Sequence, residues 1–116
     1  MYGIVGYGFY ISDLNFNKKK LMKYCENIEV KIDDIEDVDC EVVECILGDS
    51  PFKTTVTETG VVVYLPAIME WDKRDIKFKT TSECKECMWN LFKDLLDMTQ
   101  EQFYNCIDDI DDTYAL

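Results

Sequence analysis

Two cysteines in the last third of the chain have the spacing of a redox or metal-binding pair. Cys84 and Cys87 form a Cys-x-x-Cys sequence at the expected start of a helix, where the helix dipole lowers the pKa of a thiol. A thiolate there could attack a disulfide or bind a metal. The same spacing also places both sulfurs on one side of a helix, as expected for two cysteines in a hydrophobic core.

In spacing alone, this pair resembles the redox motif of the thioredoxins, and the likeness covers four residues. The residues between the cysteines are Lys85 and Glu86 rather than Gly and Pro, and no aromatic residue precedes the motif. Thioredoxins also have a proline after the motif, whereas Pro51 and Pro66 both come before it here. We therefore expect the pair to pack in the core rather than to exchange disulfides.

A zinc site is the second chemistry that the cysteines could support, with Cys40 and Cys45 completing a four-thiolate set. Positions five apart on a helix point about 140° away from each other, so this first pair fits only if residues 40–45 form a tight turn. Disulfides are not expected without a secretion signal. We predict that all six thiols are free and that no metal or other cofactor is bound.

The composition excludes several other mechanisms. The chain has no histidine, which removes Ser-His and Cys-His nucleophilic machinery and the commonest metal ligand. Arg74 is its only arginine, so no cluster of arginines can hold a phosphate group in a bidentate manner. We therefore predict a protein that is not an enzyme.

Negative charge is concentrated in two blocks of the sequence. The chain has 24 acidic and 12 basic residues and a net charge of −12. Residues 26–49 hold ten acids and one base, and residues 94–112 hold seven acids and no base, so the rest of the chain is net positive. Such concentration costs self-repulsion and attracts basic partners over a distance.

Eight of these acids are predicted to bind a partner. Four in the first block have the spacing of one helix face: Asp34, Asp37, Glu41 and Glu44. Like charges at this spacing destabilise a helix. Four in the second block lie at the C-terminal end of the last expected helix, where they oppose its dipole, and they lack the spacing of a calcium loop: Asp108, Asp109, Asp111 and Asp112. The alternative is a solvated face that only keeps the protein soluble.

Periodicity and capping residues predict a single α+β domain over residues 1–116: a small, mostly antiparallel sheet of about five short strands with three to four helices packed on it. The strands are expected over residues 2–11, 28–32, 53–57, 61–65 and 76–79. The helices are expected over residues 18–27, from about 33 to 47, 82–98 and from about 100 to 110.

No apolar run approaches the roughly 18 residues of a membrane span, and no signal peptide is evident. We expect a cytoplasmic protein that does not bind a membrane.

A rigid row of carboxylates can imitate DNA, which carries a charge roughly every 1.7 Å along its axis. In charge and size the chain resembles the nucleic-acid-mimic inhibitors that phages and mobile elements direct at host nucleases, anti-CRISPR proteins among them. The resemblance is one of composition. It implies a non-enzymatic inhibitor that occupies the nucleic-acid site of a basic protein and does not bind DNA or RNA itself.

Three other classes fit the same sequence. An immunity protein or antitoxin that neutralises a basic toxin would have the same acidic face. A thiol or zinc protein would use Cys84 and Cys87. An acidic dimerising domain would have no charged partner at all.

Overall fold

The structure, a computed structural model, describes residues 3–66 and 81–115. In these ranges the chain forms four strands, which are β1 (Gly3–Tyr10), β2 (Lys53–Val56), β3 (Val61–Pro66) and β4 (Asp108–Thr113). It also forms four α-helices, which are α1 (Lys18–Asn27), α2 (Cys40–Leu47), α3 (Thr81–Phe92) and α4 (Gln100–Asn105). The predicted α+β class is confirmed, with four strands rather than five.

The sheet is antiparallel throughout, with the strand order β2-β3-β1-β4. Its central strand, β1, has glycines where neighbouring backbone comes close. A Cβ atom added to Gly8 would collide with the main-chain carbonyl oxygen of Val63, and one on Gly6 would collide with that of Leu65. The sheet can therefore bend sharply along β1, where larger residues would force the strands apart.

The bent sheet curls until its two edge strands meet at one corner. Just after β4, the amide of Ala115 donates to the carbonyl of Val56 at 3.1 Å. The amide of Glu58 donates to the carbonyl of Thr113 at the same distance, and an isolated antiparallel bridge joins Thr57 to Tyr114. A small apolar cluster lies on the inner face of the curl: Ile4, Tyr10, Val62, Tyr64 and Ile110.

The helices cover the outer face of the sheet, where the main core lies. Three phenylalanines stand at its centre: the ring of Phe9 on β1 lies 5.3 Å from that of Phe92 and 5.1 Å from that of Phe103, both edge to face. All three side chains are fully buried. Aromatic residues of this size contribute much of the apolar area that a small domain buries, so these contacts hold α3 and α4 against β1.

Several local predictions are confirmed. Helix α1 begins after Asn17, whose side chain accepts a hydrogen bond from the amide of Lys20 at 2.9 Å. Thr99 and Gln102 form the predicted capping box of α4. The hairpin β2–β3 turns at residues 57–60, where the hydroxyl of Thr57 accepts hydrogen bonds from two amides of the turn. In each case the hydrogen bonds join residues within three positions of each other, so the sequence alone can indicate them.

Other predictions are wrong. Residues 28–32 are not a strand, because the chain turns back at Glu29 and runs beside α1. Helix α3 ends at Phe92 rather than Met98, and a 3-10 turn, Lys93–Leu95, follows it. The amide of Asp97 instead donates to the carbonyl of Asn15 at 2.7 Å. The strand expected at 76–79 lies outside the described residues.

The largest correction concerns the C-terminal aspartates. They do not lie at the end of a helix but form β4, which pairs with β1 in the register Gly6 to Ile110. The dipole argument therefore does not apply to them. Aspartate has low strand propensity, and this segment is extended because it pairs with β1, about a hundred positions earlier in the chain.

Candidate functional site

Some acids of the first block serve the local fold. Asp34 and Asp37 form a capping box around a 3-10 turn, Ile35–Asp37. Oδ2 of Asp37 accepts hydrogen bonds from the amides of Asp33 and Asp34, both at 3.0 Å. Asp39 caps α2 by accepting from the amide of Val42 at 3.2 Å. These carboxylates satisfy amides that would otherwise lack partners, so a structural role accounts for them without a partner.

The four-residue acidic row is consequently broken. Asp34 and Asp37 lie in the 3-10 turn, whereas Glu41 and Glu44 lie on α2, which begins only at Cys40. Glu41 and Glu44 are exposed, three positions apart on one helix, and no hydrogen bond or ion pair engages their carboxylates within the described residues. These two glutamates are free for a partner.

The acids of β4 divide between the two faces of the strand. Side chains alternate along a strand, so Asp109 and Asp111 share the outer face with Val5, the register partner of Asp111. Asp108 and Asp112 share the inner face with buried Ile110. Charged residues on an edge strand also discourage pairing with a second chain. The alternative to partner binding is therefore that Asp109 and Asp111 serve only to prevent such pairing.

Asp112 has a fold-closing role. Its Oδ2 accepts a hydrogen bond from the hydroxyl of Tyr10 at 2.7 Å, and its Oδ1 accepts one from the amide of Thr113 at 2.8 Å. Hydrogen bonds from Tyr10, from Thr59 and from the Thr113 amide, in that order of size, lower the pKa of this carboxyl. Asp112 therefore connects β1, β4 and the hairpin turn at the corner where the sheet edges meet.

One acid of the first block lies near the corner where the sheet edges meet. Glu36 and Val61 line one cleft. Val61 pairs with Val56 on β2, and the carbonyl of Val56 accepts a hydrogen bond from the amide of Ala115 just beyond β4. Since neighbouring strands lie about 4.8 Å apart, the main chain at Val61 is roughly 10 Å from Ala115, three residues after the second block ends.

The acidic corner, as we call it, consists of five exposed acids, three from residues 36–44 and two from the outer face of β4: Glu36, Glu41, Glu44, Asp109 and Asp111. Three partly exposed apolar residues lie near it, namely Val5 at 58%, Val56 at 45% and Tyr114 at 38% exposure. Aromatic and apolar groups beside charges are typical of interfaces. Trp89 lies elsewhere, because its ring packs on that of Phe103.

Among the described residues, little of this negative charge is neutralised by ion pairs. Within residues 3–66 and 81–115 one ion pair forms, between Nζ of Lys18 and Oδ1 of Asp34 at 3.9 Å, and both side chains are about 60% exposed. Exposed pairs of this kind contribute little to stability. The acidic corner therefore presents a negative field to solvent over the part of the surface described.

The cysteines do not converge on one site. All six are free, and the buried sulfur of Cys84 faces the core. Burial, with a smaller effect from Cys87, raises the pKa of Cys84 to about 11, and burial also raises the pKa of Cys87. The expectation that the helix dipole lowers these pKa values is wrong, because desolvation of a buried thiolate outweighs it. Cys45, the second member of the possible zinc pair with Cys40, is exposed.

Metal-binding and membrane-spanning features are not found in the described parts of the chain. No three His, Cys, Asp or Glu side chains there are grouped so that they could hold a metal ion. No helix among these residues is long and apolar enough to cross a membrane.

Comparison of the chain with protein-family models, with curated protein sequences and with solved structures gives no match. The class defined by the fold is thus an α+β protein with a curled four-stranded sheet and an acidic corner.

Proposed function

We propose that this protein is a non-enzymatic inhibitor that binds a basic, nucleic-acid-handling protein through its acidic corner and so occupies the nucleic-acid site. The observation that supports the proposal is the set of exposed acids from both sequence blocks whose carboxylates have no hydrogen-bond or ion-pair partner among the described residues. A rigid scaffold displays them, and a groove that evolved for phosphates accepts other rigidly placed anions.

Some acids have a structural role within the fold and others do not. The proposal assigns the partner to the second group. Asp34, Asp37 and Asp112 bond to groups of the protein itself. Glu41, in the first turn of α2, complements the helix dipole. Glu44 caps nothing, and as a like charge three positions from Glu41 it costs free energy. Attraction of a basic partner is the benefit that offsets this cost.

The proposal is tested by affinity capture from a nuclease-treated lysate of the source cell. Each of two bait variants removes two charges of the acidic corner, Glu41→Gln/Glu44→Gln and Asp109→Asn/Asp111→Asn. A matched control, Asp94→Asn/Glu101→Gln, removes two exposed charges from the α3–α4 side. We expect wild type and control to capture the same basic nucleic-acid-binding protein, both corner variants to capture less, and salt to release it.

Three results would contradict the proposal. Equal capture by all four baits would show that the acidic corner is not the binding surface. Capture of a partner without nucleic-acid-binding activity, such as a basic pore-forming toxin, would favour the immunity-protein alternative. Retention of the partner in high salt by every bait would show that charge does not drive the association.

A further inference from the structure

A second surface feature lies at the C-terminal end of α1. An open cavity of about 500 Å³ is lined by eight residues of one continuous segment: Met22, Cys25, Glu26, Glu29, Val30, Lys31, Ile32 and Asp33. This volume is within the range of about 300–1,000 Å³ that is usual for ligand sites. No part of the acidic corner lines it, so it is a distinct feature of the surface.

The backbone fixes the shape of the cavity. Helix α1 ends in a Schellman motif, in which the amide of Val30 donates to the carbonyl of Cys25 at 2.9 Å and that of Glu29 donates to the carbonyl of Glu26 at 3.1 Å. The chain then reverses and runs beside the helix it has just left. Helix and returning segment form the two walls of the cavity, and these two main-chain hydrogen bonds fix the turn between them.

The lining separates into an apolar floor and a charged rim. The floor consists of buried Cys25 and Ile32 with half-buried Met22 and Val30. The rim has three exposed acids, Glu26, Glu29 and Asp33, and one exposed base, Lys31. A group that is apolar along its length and cationic at its tip complements both parts. The side chains of arginine and lysine have this combination.

From the cavity's shape and lining we infer that it seats a basic side chain of the partner, with the aliphatic stem on the floor and the cation between Glu26 and Glu29. The inference rests on the proposed function, since it supplies one more contact with the same basic partner. Because the cavity is preformed, it would fix the orientation of the bound side chain, which the open surface of the acidic corner does not.

The test uses small probes in place of the partner. Methyl-labelled protein is titrated with n-butylguanidinium, and the methyl signals of Met22, Val30 and Ile32 are followed by NMR. The neutral isostere n-butylurea is the matched control ligand. We expect the cation to shift these three signals saturably and the urea to shift them much less.

Protein variants locate the cation. Glu26→Gln/Glu29→Gln should weaken n-butylguanidinium binding about fivefold, whereas Asp94→Asn/Glu101→Gln should leave it unchanged. Lys31→Gln removes the one positive charge of the rim and should tighten binding about twofold. Lys31→Gln also keeps the inference testable if the double variant fails to fold.

Absence of saturable shifts in the cavity methyls would overturn the inference, as would equal shifts with urea or equal binding by the Glu26→Gln/Glu29→Gln variant. These titrations do not involve the partner. If they fail while the acidic-corner baits still lose the partner, the cavity assignment falls and the proposed function stands. If the titrations succeed while all baits capture equally, the proposed function falls and the cavity remains a cation site.

Discussion

The hydroxyl of Tyr10 donates a 2.7 Å hydrogen bond to Oδ2 of Asp112, which lies 102 positions later in the chain. Tyr10 ends β1, the central strand, and Asp112 lies near the end of β4, an edge strand. Because the register partner of Asp112 is Ile4, near the opposite end of β1, this bond can form only if the sheet is curled. The pair therefore helps to fix the corner where the two edges of the sheet meet.

Removing the donor should loosen this corner. We expect Tyr10→Phe to speed amide exchange of residues 108–115 relative to the rest of the chain, because the C-terminal strand loses its side-chain attachment to β1. Tyr7→Phe is the matched control, since Tyr7 lies on the opposite face of β1. Exchange measured by mass spectrometry that is the same in both variants would show that the Tyr10–Asp112 bond does not hold the strand.

The pH dependence of stability should report the same bond. An aspartate in an unfolded chain has a pKa of about 3.9, and the hydrogen bonds lower the pKa of Asp112 in the folded state. Its contribution is therefore complete above the unfolded pKa and is lost as the pH falls toward the folded pKa. The stability difference between wild type and Asp112→Asn should be constant down to about pH 5 and shrink below about pH 4.

Urea titrations of both proteins between pH 7 and pH 3 measure this difference. A difference that stays constant throughout, or grows on acidification, would show that the carboxylate of Asp112 is not stabilised in the folded state.

In the turn after α1, a glutamate occupies a position where glycine would be more stable. Glu29 has a φ of +59°, at a position of the Schellman motif where glycine is preferred. We expect Glu29→Gly to raise the free energy of unfolding by about 1 kcal/mol, as relief of left-handed strain exceeds the added entropy of the unfolded chain. The same variant should weaken n-butylguanidinium binding. Chemical denaturation that shows lower stability would contradict the strain argument.

The cysteines should react in order of their exposure. In the native protein, Cys45 is exposed and should be alkylated first, whereas the buried Cys25 and Cys84 should react last, since burial raises the pKa of both thiols, that of Cys84 to about 11. Peptide mapping after timed maleimide treatment measures this order, and all six should react after unfolding. Early modification of Cys84, or a stoichiometric zinc content with unfolding by chelators, would favour the thiol or zinc alternative.

Local signals in the sequence predicted much of the fold. Asn17, Thr99 and Gln102 mark helix starts by bonding to amides within three residues, and the turn at residues 57–60 is likewise local. Strand β4 could not be predicted in this way. Cys106, Ile107 and Ile110 have helical spacing in the sequence, and only pairing with β1 makes residues 108–113 extended.

The candidate site was predicted in its charge but not in its geometry. The sequence indicates that the acids matter collectively, yet it cannot show that Asp34 and Asp37 cap a 3-10 turn or that Asp112 faces Tyr10. It also assigns Glu36, Glu41 and Glu44 to one helix, whereas Asp39 starts a new one after Glu36. Nor can the sequence show that the two sheet edges meet, since the curl of the sheet follows from contacts between distant strands.

The central claim is that the acidic corner competes with nucleic acid for one site on a basic protein. The most direct measurement is displacement of a fluorescent duplex from the captured, purified partner, followed by anisotropy at fixed ionic strength. We predict that wild type and Asp94→Asn/Glu101→Gln displace the duplex completely, with one inhibitor per site, and that Glu41→Gln/Glu44→Gln and Asp109→Asn/Asp111→Asn require higher concentrations. A ternary complex in which the partner holds the duplex and this protein together would contradict the claim.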